Sequence, residues 1–402
     1  QNSIEKLMGK AHVAFQRKEG FTPDDIRRKK PLVGYKEIKG HWIFDIKMDG
    51  KFTRKSRFVA GGHLTDTSSS STYSTVVTRE SVRIALLLAG LNELEVKSAD
   101  IGNAYLNAPV REKVWIVAGP EFGSDQGSVM IDVRAWYGLK SSGAAWHAML
   151  SQTMHDMNYK RCKADYDIWY RSAEKPDDFK YYEYVLIFVD DILVVSHQPM
   201  NTMNILFNLY ELKDGAIVTP ERYLGGNVGT YDLPDGSKCW YASADDYLQG
   251  AIGNIETEMR KDGFALATGK SADRPYPEKY RPEIDISDEL DDVLANRYQQ
   301  YISILRWVIE LERIDIYVEV AKLSSFTMNP RIGHLEAVYS IFAYIKKHLR
   351  SKLVFDPSYV KLDETTFFDE DWNDFYGDAK EQVSIIKPEP REMSVVMSVF
   401  SD

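Results

Sequence analysis

Two adjacent aspartates, Asp190 and Asp191, interrupt an apolar β-branched run, with Tyr184-Val-Leu-Ile-Phe-Val189 before them and Ile192-Leu-Val-Val195 after them. Such runs favour a buried strand, and a buried charge must be paired, neutralised or bound to metal. A strand–turn–strand hairpin resolves the conflict by placing both acids at its tip, where two oxygen ligands on a rigid turn suit a hard divalent cation. The plainer alternative is an acidic surface turn, since Asp is a common turn residue. A third acid, Asp100, ends the stretch Leu94-Glu-Val-Lys-Ser-Ala99. A strand delivering it beside the hairpin would make a cluster of three carboxylates whose mutual repulsion calls for cations. Two divalent ions about 4 Å apart would clamp attacking and leaving oxygens there. Alone, Asp100 equally reads as a strand-end acid that caps or faces water.

The elements that must position these acids follow from periodicity and turn chemistry. His41–Ile46 and Phe52–Ala60 read as an antiparallel hairpin about a turn at Met48-Asp-Gly50. Glu80–Leu91 is expected to be a helix capped by Thr78, with Val82, Ile84, Ala85, Leu87 and Leu88 on and around its buried face. Leu94–Asp100 then forms a strand, Gly143–Met157 a helix, Tyr166–Tyr170 and Tyr182–Val195 strands, and Met200–Leu212 a helix. Tyr223–Tyr231 and Cys239–Ser243 flank a turn at Leu233-Pro-Asp-Gly236. Beyond a polar stretch around Lys270–Glu278 the pattern becomes helical, over Tyr298–Leu323 and His334–Leu349. The second of these carries Leu335, Val338, Phe342, Ile345 and Leu349 at helical spacing. Met393–Phe400 is strand-like. A mixed part followed by a helical part is an α+β protein with an appended helical subdomain.

At 402 residues the chain has room for two or three subdomains. No stretch is apolar enough to span a membrane, and no signal peptide is present. Gln1 in place of a start methionine points to a processed product or a piece of a polyprotein. Cys162 and Cys239 are isolated and fit a reducing compartment as free buried thiols. The eight histidines lack the paired spacing of a zinc site. The net charge of −10 argues weakly against a nucleic-acid partner, but residues 1–65 hold 15 Lys and Arg against 7 Asp and Glu. They include Arg27-Arg28-Lys29-Lys30. The acids gather later, in Asp285–Asp292 and Asp363–Asp374. Local charge is the better guide, although a charge run is often only a solvated face.

Five ordered segments resemble the reverse transcriptase of copia-type LTR retrotransposons. They are Phe52-Thr-Arg-Lys-Ser-Arg57-Phe-Val-Ala-Gly-Gly-His63; Tyr73-Ser-Thr-Val-Val-Thr-Arg79-Glu-Ser-Val-Arg83; Ala99-Asp100-Ile-Gly-Asn-Ala-Tyr105-Leu-Asn-Ala108; Trp136-Tyr-Gly-Leu-Lys140-Ser-Ser-Gly-Ala-Ala-Trp146; and Phe188-Val-Asp190-Asp191-Ile192. Arg222-Tyr-Leu-Gly-Gly226 and Pro330-Arg-Ile-Gly-His334-Leu-Glu-Ala-Val338 extend the likeness. The resemblance implies an α+β right-hand polymerase, with a mostly antiparallel palm sheet, fingers and a helical thumb. It assigns 1–94 to an N-terminal segment and fingers, 95–109 to the first part of the palm and 110–143 to the rest of the fingers. It assigns 144–262 to the rest of the palm, 263–352 to the thumb and 353–402 to a connection leading into a truncated RNase H start.

The same resemblance makes Asp100, Asp190 and Asp191 the catalytic and metal-binding acids for two Mg²⁺ ions, with Mn²⁺ a substitute, and Asp191 the one that can serve from the side. It places Lys55 and Arg57 on the triphosphate, Tyr105 beneath the sugar, and Gly138 and Lys140 near the templating base. Leu224, Gly225 and Gly226 become the primer grip, and Arg306, Lys322 and Lys346 phosphate contacts. Gly143 departs from the family, which often carries Pro there. The implied partners are an RNA or DNA template, a primer strand and deoxynucleoside triphosphates, with no membrane. The implied setting is a cytoplasmic virus-like particle, with a nuclear stage afterwards. Val399-Phe-Ser-Asp402 resembles the start of an RNase H domain, whose other acids are absent, so no RNA degradation is expected. Two rival readings stand beside the polymerase. One is an inactive or domesticated element remnant that at most binds nucleic acid. The other is an RNA-templated RNA polymerase, which the bulky Tyr105 disfavours.

Overall fold

Val185–Ile187 and Ile192–Val195 are β-branched or apolar and buried, so this stretch must lie in the middle of a sheet with both faces covered. The computed structural model describes residues 8–21, 24–25, 32–46, 54–65, 72–213, 216–261, 263–277, 279–358, 377 and 388–393. The chain divides into two units, Gln1–Val82 with Glu95–Val218, and Arg83–Leu94 with Thr219–Asp402.

In the first unit, strands β1 (Phe15–Arg17), β2 (Lys36–Glu37), β3 (Gly40–Ile46) and β4 (Arg54–Ala60) precede helix α1 (Arg79–Leu91), whose residues are shared between the units. Strands β5 (Glu95–Asp100), β6 (Val114–Val117) and β7 (Val129–Asp132) lead to α2 (Ser142–Asp156). Then come β8 (Lys160–Arg161), β9 (Ile168–Glu174), β10 (Lys180–Phe188), β11 (Asp191–Ser196) and α3 (Pro199–Leu209). The main sheet has the order β5-β11-β10-β9-β8 and is antiparallel throughout. Its core joins Ile187, Ile192 and Val194 to Trp146, Leu150 and Met154 of α2 and to Met203 and Leu206 of α3. A second sheet, β1-β7-β6-β2, contains one parallel pair, β2 with β6. Strands β3 and β4 form a separate antiparallel ribbon; its turn at Met48–Gly50 lies outside the described residues, as does the cluster Arg27–Lys30.

The second unit holds the sheet β12 (Arg222–Tyr223), β13 (Gly226–Asp232), β14 (Lys238–Ser243) and β15 (Lys352–Phe355), in that order. It also holds α4 (Asp245–Lys261), α5 (Asp292–Glu310), α6 (Tyr317–Ser324) and α7 (Ile332–Lys347). Leu248, Ile252, Ile255 and Met259 of α4 share a core with Tyr298, Ile302 and Leu305 of α5 and with Val338, Ile341 and Phe342 of α7. Among the described residues no helix is long and apolar enough to cross a membrane.

The α+β composition with antiparallel sheets is as expected, and four local differences have physical causes. Helix α4 was not anticipated: Gly250 and Gly253 dilute its helical signal, although its apolar residues recur at helical spacing. The expected long helix over Tyr298–Leu323 is two helices, because Glu312 takes φ +82° and the buried Arg313 leaves the helical path. That arginine donates to both carboxylate oxygens of Asp315 at 2.9 Å and to the His348 carbonyl. On α1, Ile84 faces solvent, while Leu86 and Ala89 are buried in its place. Both cysteines are free, but only Cys239 is buried. The expected strand Met393–Phe400 and the segment Val399–Asp402 lie outside the described residues, apart from Met393.

Candidate active site

The hairpin turn is built first. Phe188 pairs with Asp191 across β10 and β11, leaving Val189 and Asp190 as a two-residue connection. Val189 sits at φ +58°. This region is unfavourable for a β-branched side chain and persists only where surroundings over-determine it. Both turn carbonyls are in fact held. The Trp146 indole N–H donates to the Val189 carbonyl at 2.7 Å, and the Ile101 backbone N–H donates to that of Asp190 at 2.8 Å. Trp146 is itself buried on α2 and meets Tyr210 edge-on at 5.3 Å.

Strand β5 runs antiparallel to β11 in a register that sets Asp100 directly opposite Asp191. Cross-strand partners lie about 4.5–5.5 Å apart on one face of a sheet, so the register and the turn together assemble the three acids from two distant segments. Asp100 is half-buried, and its Oδ2 pairs with Lys213 Nζ. Its Oδ1 is buried and has no hydrogen-bond partner among the described residues. Burial pushes the Asp191 carboxyl up to about 6, with the Asp190 charge adding to it. Burial also raises Asp190, against the pull of its own backbone N–H and of the Lys55 ammonium.

These features fit a cation-binding role in chemistry and in electrostatics: hard oxygen donors, like charges crowded on one sheet end, and an orphaned carboxylate oxygen. Among the described residues no group of three or more His, Cys, Asp or Glu side chains is already drawn together as a metal cage. Any ion held here would therefore draw on Asp100, Asp190 and Asp191 after their side chains converge.

Tyr105 lies on a 3₁₀ turn, Ala104–Asn107, separated by three residues from the end of β5. Its hydroxyl is held in the protonated form by burial and then by the Asp190 charge. Lys55 and Arg57 come from β4, opposite Asp45 and Ile43 of β3, and so share one face of the ribbon. Arg57 approaches Asp45 at 3.9 Å. The Lys55 charge opposes the rise of the Asp190 carboxyl, and the Arg57 charge opposes the rise of the Tyr137 hydroxyl.

Gly138 takes φ +94°, and a Cβ there would lie 2.3 Å from the Ala60 carbonyl oxygen. A Cβ on Gly62 would lie 2.0 Å from the Gly138 carbonyl oxygen. The two glycines thus let the Trp136–Lys140 turn press against the end of β4, where Ala60 N–H donates to the Tyr137 carbonyl at 2.7 Å. Lys140 Nζ donates to the Thr65 carbonyl at 2.7 Å. Gly143 falls in the first turn of α2, its Cβ position 3.0 Å from Ser74 Oγ.

Leu224 and Gly225 belong to the second unit. Both have positive φ, +47° and +89°, and they connect Tyr223 to its partner Gly226 in a two-residue β-turn of the kind that suits twisted hairpins. This turn rests on Trp307 and Leu311 of the α5 end. Asp100, Asp190, Asp191, Tyr105, Lys55, Arg57, Gly138 and Lys140 all lie in the first unit, and the β5–β11 register sets Asp100 against Asp191. Sequence reasoning passed over Tyr137, Trp146 and Lys213 as site residues. Tyr137 and Trp146 stand inside the Trp136–Trp146 segment, but only the folded chain shows what they touch.

The family model described as reverse transcriptase (RNA-dependent DNA polymerase) matches residues 29–250. The Transposon Ty1-DR1 Gag-Pol polyprotein of Saccharomyces cerevisiae is 24% identical over 323 residues, which cover 79% of this chain and 18% of the relative. The Retrovirus-related Pol polyprotein from transposon RE1 of Arabidopsis thaliana is 25% identical over 314 residues, 76% of this chain and 20% of the relative. That from transposon TNT 1-94 of Nicotiana tabacum is 23% identical over 320 residues, 78% and 23% respectively. The chain spans about a fifth of the length of these curated relatives.

Proposed function

The chain belongs to the reverse transcriptase (RNA-dependent DNA polymerase) family, in its copia-type retrotransposon form, and on that premise we propose that it extends a primer 3′-hydroxyl with deoxynucleoside triphosphates on an RNA or DNA template. The observation that supports this reading best is the pairing of Asp100 with Asp191 beside the Asp190 turn. Such an arrangement suits transfer between oxygens that both carry negative charge.

Asp100, Asp190 and Asp191 would hold two Mg²⁺ ions, or Mn²⁺ in their place, which when bound supply Lewis-acid activation of the hydroxyl and neutralisation of the triphosphate and pyrophosphate charge. The chain's own side chains supply the rest. Lys55 and Arg57 balance the triphosphate, and the guanidinium offers paired donors to phosphate oxygens. Tyr105, standing beyond the end of β5, occupies the space that a ribose 2′-hydroxyl needs. Gly138 and Lys140 hold the turn beside the templating base. Leu224, Gly225 and Gly226 support the primer end, and Arg306, Lys322 and Lys346 contact duplex phosphates. By family likeness the setting is a cytoplasmic particle, with a nuclear stage afterwards.

The test is primer extension on poly(rA)/oligo(dT) with Mg²⁺, comparing the wild-type chain with Asp190→Asn. Extension by the wild type and its loss in the variant support the proposal. A folded wild-type chain that extends nothing, or an unimpaired variant, overturns it.

A further inference from the structure

We propose that Tyr137 is a positioning residue for sugar selection: its ring is the wall against which Tyr105 leans, and it fixes where the Tyr105 ring stands. This rests on the polymerase reading and on three observations about the fold. First, the two rings meet edge to face, with centroids 4.9 Å apart and planes at 60°. This is a favoured aromatic geometry that resists tilting of either ring. Second, Tyr137 is anchored through the backbone of its own segment. Its carbonyl accepts from Ala60 N–H at 2.7 Å, the Trp136 carbonyl before it accepts from Ser142 Oγ at 2.7 Å, and Gly138 after it is pressed onto the Ala60 backbone. Tyr105 instead rides on the four-residue 3₁₀ turn Ala104–Asn107, which follows Asn103 at φ +51°. The Tyr105 carbonyl accepts from Ala108 N–H at 3.0 Å, so the two rings meet from two separately bonded segments.

Third, Tyr137 connects the two halves of the nucleotide site. Its backbone is bonded to the end of β4, the strand that carries Lys55 and Arg57, and its ring touches the residue that meets the sugar. Burial raises both tyrosine hydroxyls, the Asp190 charge adds to the rise, and the Arg57 charge opposes it at Tyr137. A triphosphate seated on β4 and a sugar seated on Tyr105 are therefore held in one frame through a single side chain.

The experiment compares the wild-type chain with Tyr137→Ala, Tyr137→Leu and Tyr137→Phe, measuring kcat and KM for a deoxynucleotide and for the matching ribonucleotide. Tyr137→Ala should lower the preference for the deoxynucleotide by roughly tenfold or more, through a raised deoxynucleotide KM and more efficient ribonucleotide use. Tyr137→Phe should restore wild-type preference, and Tyr137→Leu, which keeps packing volume without the ring, should behave like the alanine variant. Should the alanine variant not fold, the leucine variant carries the comparison. Unchanged preference in the leucine or alanine variant overturns the proposal, as does an equal loss of kcat for both nucleotides with the ratio intact.

The same variants are read by equilibrium displacement of a fluorescent deoxynucleotide from a complex with dideoxy-terminated primer–template. If the wild type binds deoxynucleotide over ribonucleotide without extending, the polymerase reading fails, while Tyr137 is still judged by whether Tyr137→Leu erases that preference. If the wild type binds neither nucleotide, the Tyr137 proposal fails as well.

Discussion

The indole N–H of Trp146 donates a 2.7 Å hydrogen bond to the carbonyl of Val189, the strained residue that introduces Asp190. A side chain 43 positions away thus holds the acid-bearing turn in a backbone conformation that its own residue disfavours. Trp146→Phe keeps a ring in the core but removes the donor and part of the buried ring. The unpaired carbonyl and the cavity together should cost about 2–5 kcal/mol of stability, read as a lower chemical-denaturation midpoint. Extension should fall by roughly tenfold or more with the far-ultraviolet spectrum unchanged. Wild-type extension in this variant would show that the strained turn holds itself.

Gly138 and Gly62 both lie where the Trp136–Lys140 turn meets the end of β4: a Cβ on Gly138 would strike Ala60, and one on Gly62 would strike the Gly138 carbonyl. Gly138→Ala forces both an unfavourable positive φ and a collision with the Ala60 carbonyl, and should destabilise by about 2–5 kcal/mol. Gly62→Ala should do likewise. Because both changes part the same turn from the same strand end, the double variant should lose clearly less than the total of the two single losses. Equilibrium unfolding of all three variants measures the coupling.

Tyr105→Val should admit ribonucleotides, lowering discrimination by about 10- to 100-fold, or about 1.4–2.7 kcal/mol. Steady-state kinetics with matched deoxy- and ribonucleotides on one template is the measurement. Retained discrimination would remove Tyr105 from the sugar site.

Asp132 is buried, accepts from the Trp136 indole at 2.6 Å and has a second oxygen without a partner among the described residues. Burial raises its carboxyl to about 8, the Trp136 bond opposing and Glu112 assisting. An unfolded aspartate ionises near 3.9, so between about pH 4 and 8 the folded chain keeps a proton that the unfolded chain has lost. Its contribution to stability is complete below pH 4 and is lost as pH rises to 8, at up to about 1.4 kcal/mol per pH unit. Asp132→Asn keeps an acceptor for Trp136 and should flatten that slope while raising stability at pH 8 by one to a few kcal/mol. Denaturation midpoints at pH 5 and 8 decide the matter.

Much of the acid end of the main sheet is legible in the residues themselves. An apolar β-branched run interrupted by two acids points to a hairpin with the acids at its turn, and the residues before Asp100 read as a strand. What pairing alone supplies is the register, Asp191 against Asp100, which no local pattern encodes. Helix α4 is harder to read because Gly250 and Gly253 weaken a spacing that Leu248, Ile252, Ile255 and Met259 otherwise keep. The break between α5 and α6 is invisible because Leu311, Ile314 and Ile316 continue an apolar pattern, and the interruption is made by the charge pair of Arg313 and Asp315. Tyr137 stands in a turn without periodicity, so its contact with Tyr105 exists only in the folded chain.

The register of β5 on β11 has a genetic consequence. Side chains alternate faces along a strand, so sliding β5 by one residue would send the Asp100 carboxylate through to the other side of the sheet. On the proposed assignment, a single inserted codon between those for Glu95 and Ala99 that shifted this register would part Asp100 from Asp191 while every acid stayed in the reading frame. The same insertion between Lys175 and Phe179, in the turn beyond the last β9–β10 pair, Glu174 with Lys180, would lengthen a loop and leave the acids opposed. On that reading, the spacing along β5 matters to the site as much as the presence of the three aspartates.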